Sequence, residues 1–227
     1  MDEKPIIENL SIDCVIFGFD EGKLKALLIK RNTDPCKGMM SLPGGFVYVD
    51  EDLIHAPARR LHDLTGLKDV FLREIGVFGK IDRYPLRRVI TIGYYALIKI
   101  SDYNIHVGED AQEVQWVSVN ELPELPFDHA EIFDEALIKL RKHVRYEPIG
   151  YNLLPEKFTI TQLQTLYEAI LNKQIDNRNF RKKLAKIGFL NDLKEKQKNV
   201  SHRAANLYSF DKVKYETLVE KGYTFDF

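Results

Sequence analysis

Residues 45–67 read GFVYVDEDLIHAPARRLHDLTGL, and this stretch decides how the first part of the chain folds. Ser41-Leu42-Pro43-Gly44-Gly45-Phe46 is a turn-rich entry, and Asp50 or Asp52 is placed to cap a helix that ends at Gly66. Pro57 lies early in that helix, where it is tolerated only if the helix starts late or kinks. Upstream, apolar runs at 12–19 and 24–30 flank Asp20-Glu21-Gly22, a hairpin signal. Downstream, strand-like runs cover 70–78, 88–100 and 113–119, the last holding the only tryptophan, Trp116. Ile132, Ala136, Leu137 and Leu140 then mark an amphipathic helix over 129–146. Strands alternating with helices at this length predict an α/β sandwich with a mixed sheet.

Gly45, Glu51, Arg59, Leu61, Gly66 and Leu67 fall in the register of the Nudix signature, so this part resembles the Nudix superfamily. That signature places glutamates, ligands of the divalent cation that assists pyrophosphate hydrolysis, where this chain has Arg60, Asp63 and Leu64. Arg60 puts a fixed positive charge at a ligand position, and Leu64 supplies no donor. Glu51 and Asp63 alone make too few oxygens for a dedicated Mg²⁺ cage. The expectation is therefore no catalytic residue, no metal and no cofactor. Three readings stay open: a degraded site reused for binding, an active hydrolase with relocated ligands, and a loop and helix that only cover a core.

Composition fits an ordinary globular protein, with 44% apolar and 30% charged residues in 227. The apolar runs are too short to span a bilayer, and the start MDEKP lacks the features of a signal peptide. A cytoplasmic location is expected. Cys14 and Cys36 form neither a metal spacing nor a disulfide framework, and Cys14 reads as a core residue. The net charge of −1 hides an asymmetry: from Pro155 onward there are 14 Lys and Arg against 9 Asp and Glu. An acidic first part and a basic second part suggest a sensor joined to a polyanion binder.

A boundary is expected near Tyr146, giving residues 1–146 as one domain and 147–227 as another. In the second, Leu163, Leu166, Tyr167 and Ile170 form an apolar helical face behind a threonine cap. Asp176 caps a helix over 177–187 whose Phe180, Leu184 and Ile187 face a core, and Gly188 ends it. Arg178, Arg181 and Lys182 point the other way. Residues 189–193, a polar loop over 194–203 and residues 204–210 suggest a β-wing, and Asp211 caps a last helix. Together these predict a winged helix-turn-helix. Its second helix is the one such folds place in the major groove, where Asn177 and Asn179 suit adenine. Lys196, Lys198, His202 and Arg203 suit phosphates. A solvated or protein-binding charged face and an RNA-binding face are the alternatives.

The two halves together resemble the NrtR-like family of Nudix-related transcriptional regulators. The resemblance rests on Leu42-Pro43-Gly44-Gly45-Phe46-Val47, Arg83 with Pro85, Phe127-Asp128-His129, Leu153-Leu154-Pro155-Glu156-Lys157-Phe158-Thr159, Leu166-Tyr167-Glu168-Ala169-Ile170 and Asn179-Phe180-Arg181-Lys182. It implies a homodimer on paired half-sites of double-stranded DNA that releases DNA on binding a small metabolite, ADP-ribose or a sugar such as arabinose. Arg31, Phe46, Glu51, Asp82, Arg83 and Arg88 are the candidate effector residues, with Arg87 in the same cluster. Because the carboxylates that would bridge a diphosphate through metal are mostly gone, a sugar such as L-arabinose is the expected effector. Arg60 compensating a diphosphate without metal is the opposing possibility.

Overall fold

The computed structural model describes residues 4–108, 110–146, 153–198 and 203–221. A seven-stranded mixed sheet dominates the first part. It comprises β1 (Ile6–Asp20), β2 (Lys23–Arg31), β3 (Met40–Ser41), β4 (Gly44–Tyr48), β5 (Arg73–Phe78), β6 (Ile90–Lys99) and β7 (Ala111–Ser118). The main order is β3-β2-β1-β6-β5, with β4 on β1 and β7 on β2. β1 and β6 run parallel from Leu10↔Ile90 to Phe19↔Lys99, while β4 lies antiparallel to β1. The β1–β2 turn has positive φ at both Glu21 and Gly22, the twist-matched form for a two-residue hairpin.

β1 is buried continuously from Ser11 to Gly18 because both faces of the sheet are covered. Ile12, Cys14 and Ile16 pack with Ala56 and Leu61 of α1 (Ala56–Thr65) on one face. On the other, the Phe17 ring lies 5.7 Å from that of Phe133 in α2 (His129–Tyr146). Cys14 is thus a core residue, its thiol pKa pushed up by burial.

Two local expectations need correction. Residues 44–46 of the expected turn belong instead to strand β4: Gly44 pairs with Asp13 and Gly45 with Ile12, at a closeness to β1 that a side chain on Gly44 would obstruct. The cap of α1 is neither Asp50 nor Asp52. The His55 amide donates to the Asp52 carbonyl at 2.9 Å, so a turn intervenes and His55 becomes the N-cap residue, without a side-chain bond. The helix thus starts late, and Pro57 sits in its first turn, where a missing N–H is harmless. Gly66 ends α1 in the left-handed conformation.

The division into two compact units falls within α2, between Lys139 and Leu140, several residues before the boundary expected at its end. In the second unit, α3 (Ile160–Leu171) starts with a capping box in which Thr159 and Gln162 bond reciprocally. Asp176 caps α4 (Asn177–Ile187), and left-handed Gly188 closes it. Leu163, Leu166, Tyr167, Ile170, Phe180, Leu184, Ile187 and Phe189 are buried. The antiparallel pair β8 (Leu190–Lys196) and β9 (Asn206–Phe210) forms the wing, and α5 (Lys212–Glu220) follows. Lys196 belongs to β8, not to the loop, because pairing resumes at Lys196↔Asn206 after an irregularity beyond Asp192.

Candidate functional site

A cleft of about 190 Å³ opens in the first unit, with Asp13, Arg31, Phe46, Arg60, Arg83 and His129 among its lining. Its base is a buried charge network. Arg83 donates through Nε and one Nη to the two carboxylate oxygens of Asp128, both at 2.8 Å, and to Asp13 at 3.2 Å. Thr91 donates to Asp13 at 2.9 Å. Burial pushes the Asp13 carboxyl up to about 6 despite Arg83 beside it. His129 accepts the Leu42 amide at Nδ1 (3.1 Å), which leaves Nε2 to carry the proton 3.5 Å from Asp13. Burial pushes His129 down to about 3, so it is neutral at physiological pH. Arg83 lines the cleft, but with its guanidinium buried between two carboxylates it acts as a strut.

One wall is aromatic. Phe46, Tyr84, Phe127 and His129 succeed one another at centroid separations of 6.3, 5.3 and 5.4 Å. Arg87 lies over Phe46 and Arg31 over Phe127, at 4.8 and 5.1 Å. Phe127 has φ of 60°, a conformation a bulky residue holds only where its surroundings enforce it.

The old hydrolase positions are occupied in another way. Arg59 clamps Glu51 at 2.6 and 2.7 Å, bonds the Phe46 carbonyl and reaches Asp63 at 3.3 Å. Its fork holds the Glu51 carboxyl below the usual range. Arg60 donates Nε to the Gly44 carbonyl at 2.9 Å and Nη1 to Asp110 at 2.6 Å. Leu64 is fully buried. No group of three or more acids, histidines or cysteines among the described residues is placed to hold a metal ion.

Of the candidate effector residues, the fold brings Arg31, Phe46 and Arg83 to the cleft. Glu51 is not in the lining and is engaged by Arg59 and the Tyr48 amide, while Asp82 and Arg88 are exposed outside it. Sequence reasoning missed Asp13, Tyr84, Phe127 and His129 as a group. The available signal was an aspartate in the middle of the apolar run Ile12 to Phe17, where only a paired acid belongs.

In the second unit, Asn177, Arg178, Asn179, Arg181 and Lys182 are exposed on α4, opposite buried Phe180, Leu184 and Ile187. Arg181 Nε bonds the Asn177 side chain at 2.6 Å, and the Asn179 amide donates to capping Asp176. Lys196, Lys198 and Arg203 are exposed along the wing, and His202 lies outside the described residues. Among the described residues, no helix is long and apolar enough to cross a membrane.

A Nudix-type mixed sheet with altered metal positions, joined to a winged helix, defines a Nudix-related transcriptional regulator. The sequence matches the NUDIX domain over residues 8–136 and the NrtR DNA-binding winged helix domain over residues 150–210. It is 31% identical over 205 residues to the ADPR responsive transcriptional repressor NtrR of Acinetobacter baylyi, covering 88% of this chain and 81% of that protein. It is also 36% identical over 120 residues to the ADP-ribose pyrophosphatase of Methanocaldococcus jannaschii, spanning 53% of this chain and 70% of that one. Shewanella oneidensis NrtR, solved with a 27mer DNA, superposes with a TM-score of 0.71 at 27% identity, over 95% and 97% of the two chains. The chain belongs to the NrtR-like family.

The divalent cation that a Nudix hydrolase uses does not fit the residues present here. Arg60 and Leu64 hold ligand positions, Glu51 is spent on Arg59, and Asp110 is spent on Arg60.

Proposed function

We propose that the protein is a DNA-binding repressor whose Nudix-like domain takes ADP-ribose and releases DNA in response. The observation that carries this reading is the cleft itself, where two arginines, Arg31 and Arg60, stand beside an aromatic wall. That pairing suits a ligand with a diphosphate and a purine. The sugar effector expected from the lost carboxylates gives way here: a neutral sugar leaves those cations without a function, and the Acinetobacter relative is named for ADPR. Arg31, Phe46, Arg60, Tyr84 and Phe127 are the residues assigned to effector contact. Asn177, Arg178, Asn179, Arg181 and Lys182 are assigned to the major groove, and Lys196, Lys198, His202 and Arg203 to the backbone. A homodimer on two half-sites about one helical turn apart, or a multiple of it, completes the proposal.

Coupling is reciprocal: if ADP-ribose weakens operator binding, operator DNA weakens ADP-ribose binding by the same factor. Calorimetric titration with ADP-ribose and with L-arabinose, each repeated with operator bound, tests this. Heat and DNA release with ADP-ribose alone are expected; release by L-arabinose alone defeats the assignment. The same samples with Mg²⁺ or Mn²⁺ are expected to leave ADP-ribose intact. Metal-dependent turnover that disappears in Glu51→Gln would instead establish an active hydrolase.

A further inference from the structure

Arg60 and Arg31 share a property that the third arginine of the cleft, Arg83, lacks. Asp13 and Arg83 answer each other, with Asp128 and Thr91 completing the network. Arg60 is only partly answered: Nε goes to a carbonyl and Nη1 to Asp110, while Nη2 has no bond among the described residues. Arg31 has no carboxylate partner among the described residues; its Nε bonds the Pro35 carbonyl at 3.0 Å, and its guanidinium covers Phe127. Two incompletely neutralised guanidinium groups thus line one concave surface, in a half of the chain that is otherwise acidic.

Arg60 is also held in place. The Gly44 carbonyl fixes its Nε edge, and its side chain crosses Gly45 where any Cβ would strike it. The side chain is only 18% exposed, so the charge is presented in one orientation instead of waving in solvent. A divalent cation beside it would meet like charge and too few free oxygens. A planar guanidinium, by contrast, matches diphosphate oxygens through paired N–H groups.

Resting on the ADP-ribose reading, we infer that Arg60 and Arg31 bind the diphosphate directly, standing in for the metal ion, so that effector binding needs no divalent cation. The donor exchange is simple: the anion takes Nη2 of Arg60 and displaces the exposed Asp110 from Nη1, while the Gly44 carbonyl keeps the guanidinium oriented.

The test is calorimetric titration of the full chain with ADP-ribose in EDTA and in excess Mg²⁺. The wild-type protein is expected to bind with the same affinity in both. Arg60→Glu, which restores an acid at that position, is expected to lose roughly ten- to a hundredfold in EDTA, the scale of a lost hydrogen bond to a charged group, and to regain part of it with Mg²⁺. Arg31→Met is expected to lose affinity in both buffers with no rescue. Binding by the wild-type protein only when Mg²⁺ is present overturns the inference while leaving the effector assignment standing. Absence of ADP-ribose binding in both buffers overturns the effector assignment, and this inference with it. If Arg60→Glu fails to fold by circular dichroism, Arg60→Lys replaces it: the charge survives but the fork is lost, so weaker binding is expected in both buffers. Undiminished affinity in that variant counts against the direct clamp.

Discussion

The first unit and α4 both carry clustered arginines, but in opposite states. In the first unit, Arg59, Arg60 and Arg83 are each held by two or more acceptors and largely removed from solvent. On α4, Arg178 and Lys182 are exposed and have no acidic partner among the described residues. A small ligand with one shape rewards donors fixed in advance, since their ordering cost is met during folding. A polymer with many registers rewards mobile charges that release counterions at any position and settle only on the right sequence. The same residue type is thus held by acceptors in one unit and left exposed in the other.

The largest expected effect breaks the rigid side. Arg83→Met leaves Asp13 and Asp128 buried without their cation and is expected to cost about 3–5 kcal/mol of unfolding free energy. Urea unfolding followed in the first unit measures it. Arg178→Ala, made for contrast, is expected to change stability by less than about 0.5 kcal/mol. Equal losses in the two variants would erase the distinction drawn between the two units.

A middle-sized effect sharpens the adjustable side. Arg178→Ala is expected to cost roughly 1–3 kcal/mol on the specific operator and to narrow the gap between operator and random DNA. Lys198→Ala is expected to weaken both alike and to reduce the slope of log affinity against log salt by about one. Filter binding across a salt series separates these outcomes, and an Arg178→Ala protein with full operator preference removes α4 from the reading role.

The smallest effect lies in pH. Asp13, raised from 3.8 to about 6, stabilises the fold fully below its ordinary value and loses that contribution as pH rises through 6. His129, lowered from 6.5 to about 3, acts in the opposite sense: its contribution is present above 6.5 and is lost as pH falls toward 3. Between about pH 4 and 6 the two slopes oppose, so their net effect in the wild-type protein is expected to be nearly flat. His129→Gln keeps an acceptor for the Leu42 amide and removes one titration. Its unfolding free energy, measured by urea at each pH, is then expected to fall with rising pH relative to wild type. A rising difference would mean that burial does not hold His129 neutral.

Much of the architecture was legible because its signals are local. Asp176, Gly188 and the 180–184–187 spacing specify α4 within a dozen residues, and Gly66 marks the end of α1 in the same way. The degenerate positions Arg60 and Leu64 were equally readable, since register along one helix needs no tertiary knowledge. The caps of α1 were misread because Asp50 and Asp52 have suitable chemistry, and only the turn closing at His55 decides where the helix begins. The sugar expectation rested on a similarly local reading. Counting lost carboxylates bears on metal binding, but it is silent on which cations face the same cavity.

The sequence by itself determined the two-domain order, the helix limits in the winged helix, the basic face of α4 and the loss of the metal-ligand set. Each follows from periodicity or from charge at fixed spacing along one element. Only the tertiary structure decided what each arginine does. Arg83 meets Asp13 70 residues upstream and Asp128 45 residues downstream, becoming a strut, while Arg31 and Arg60 reach one cleft with donors to spare. The physical reason is that a charge's role depends on the partners and dielectric around it, and those are supplied by segments distant in the chain.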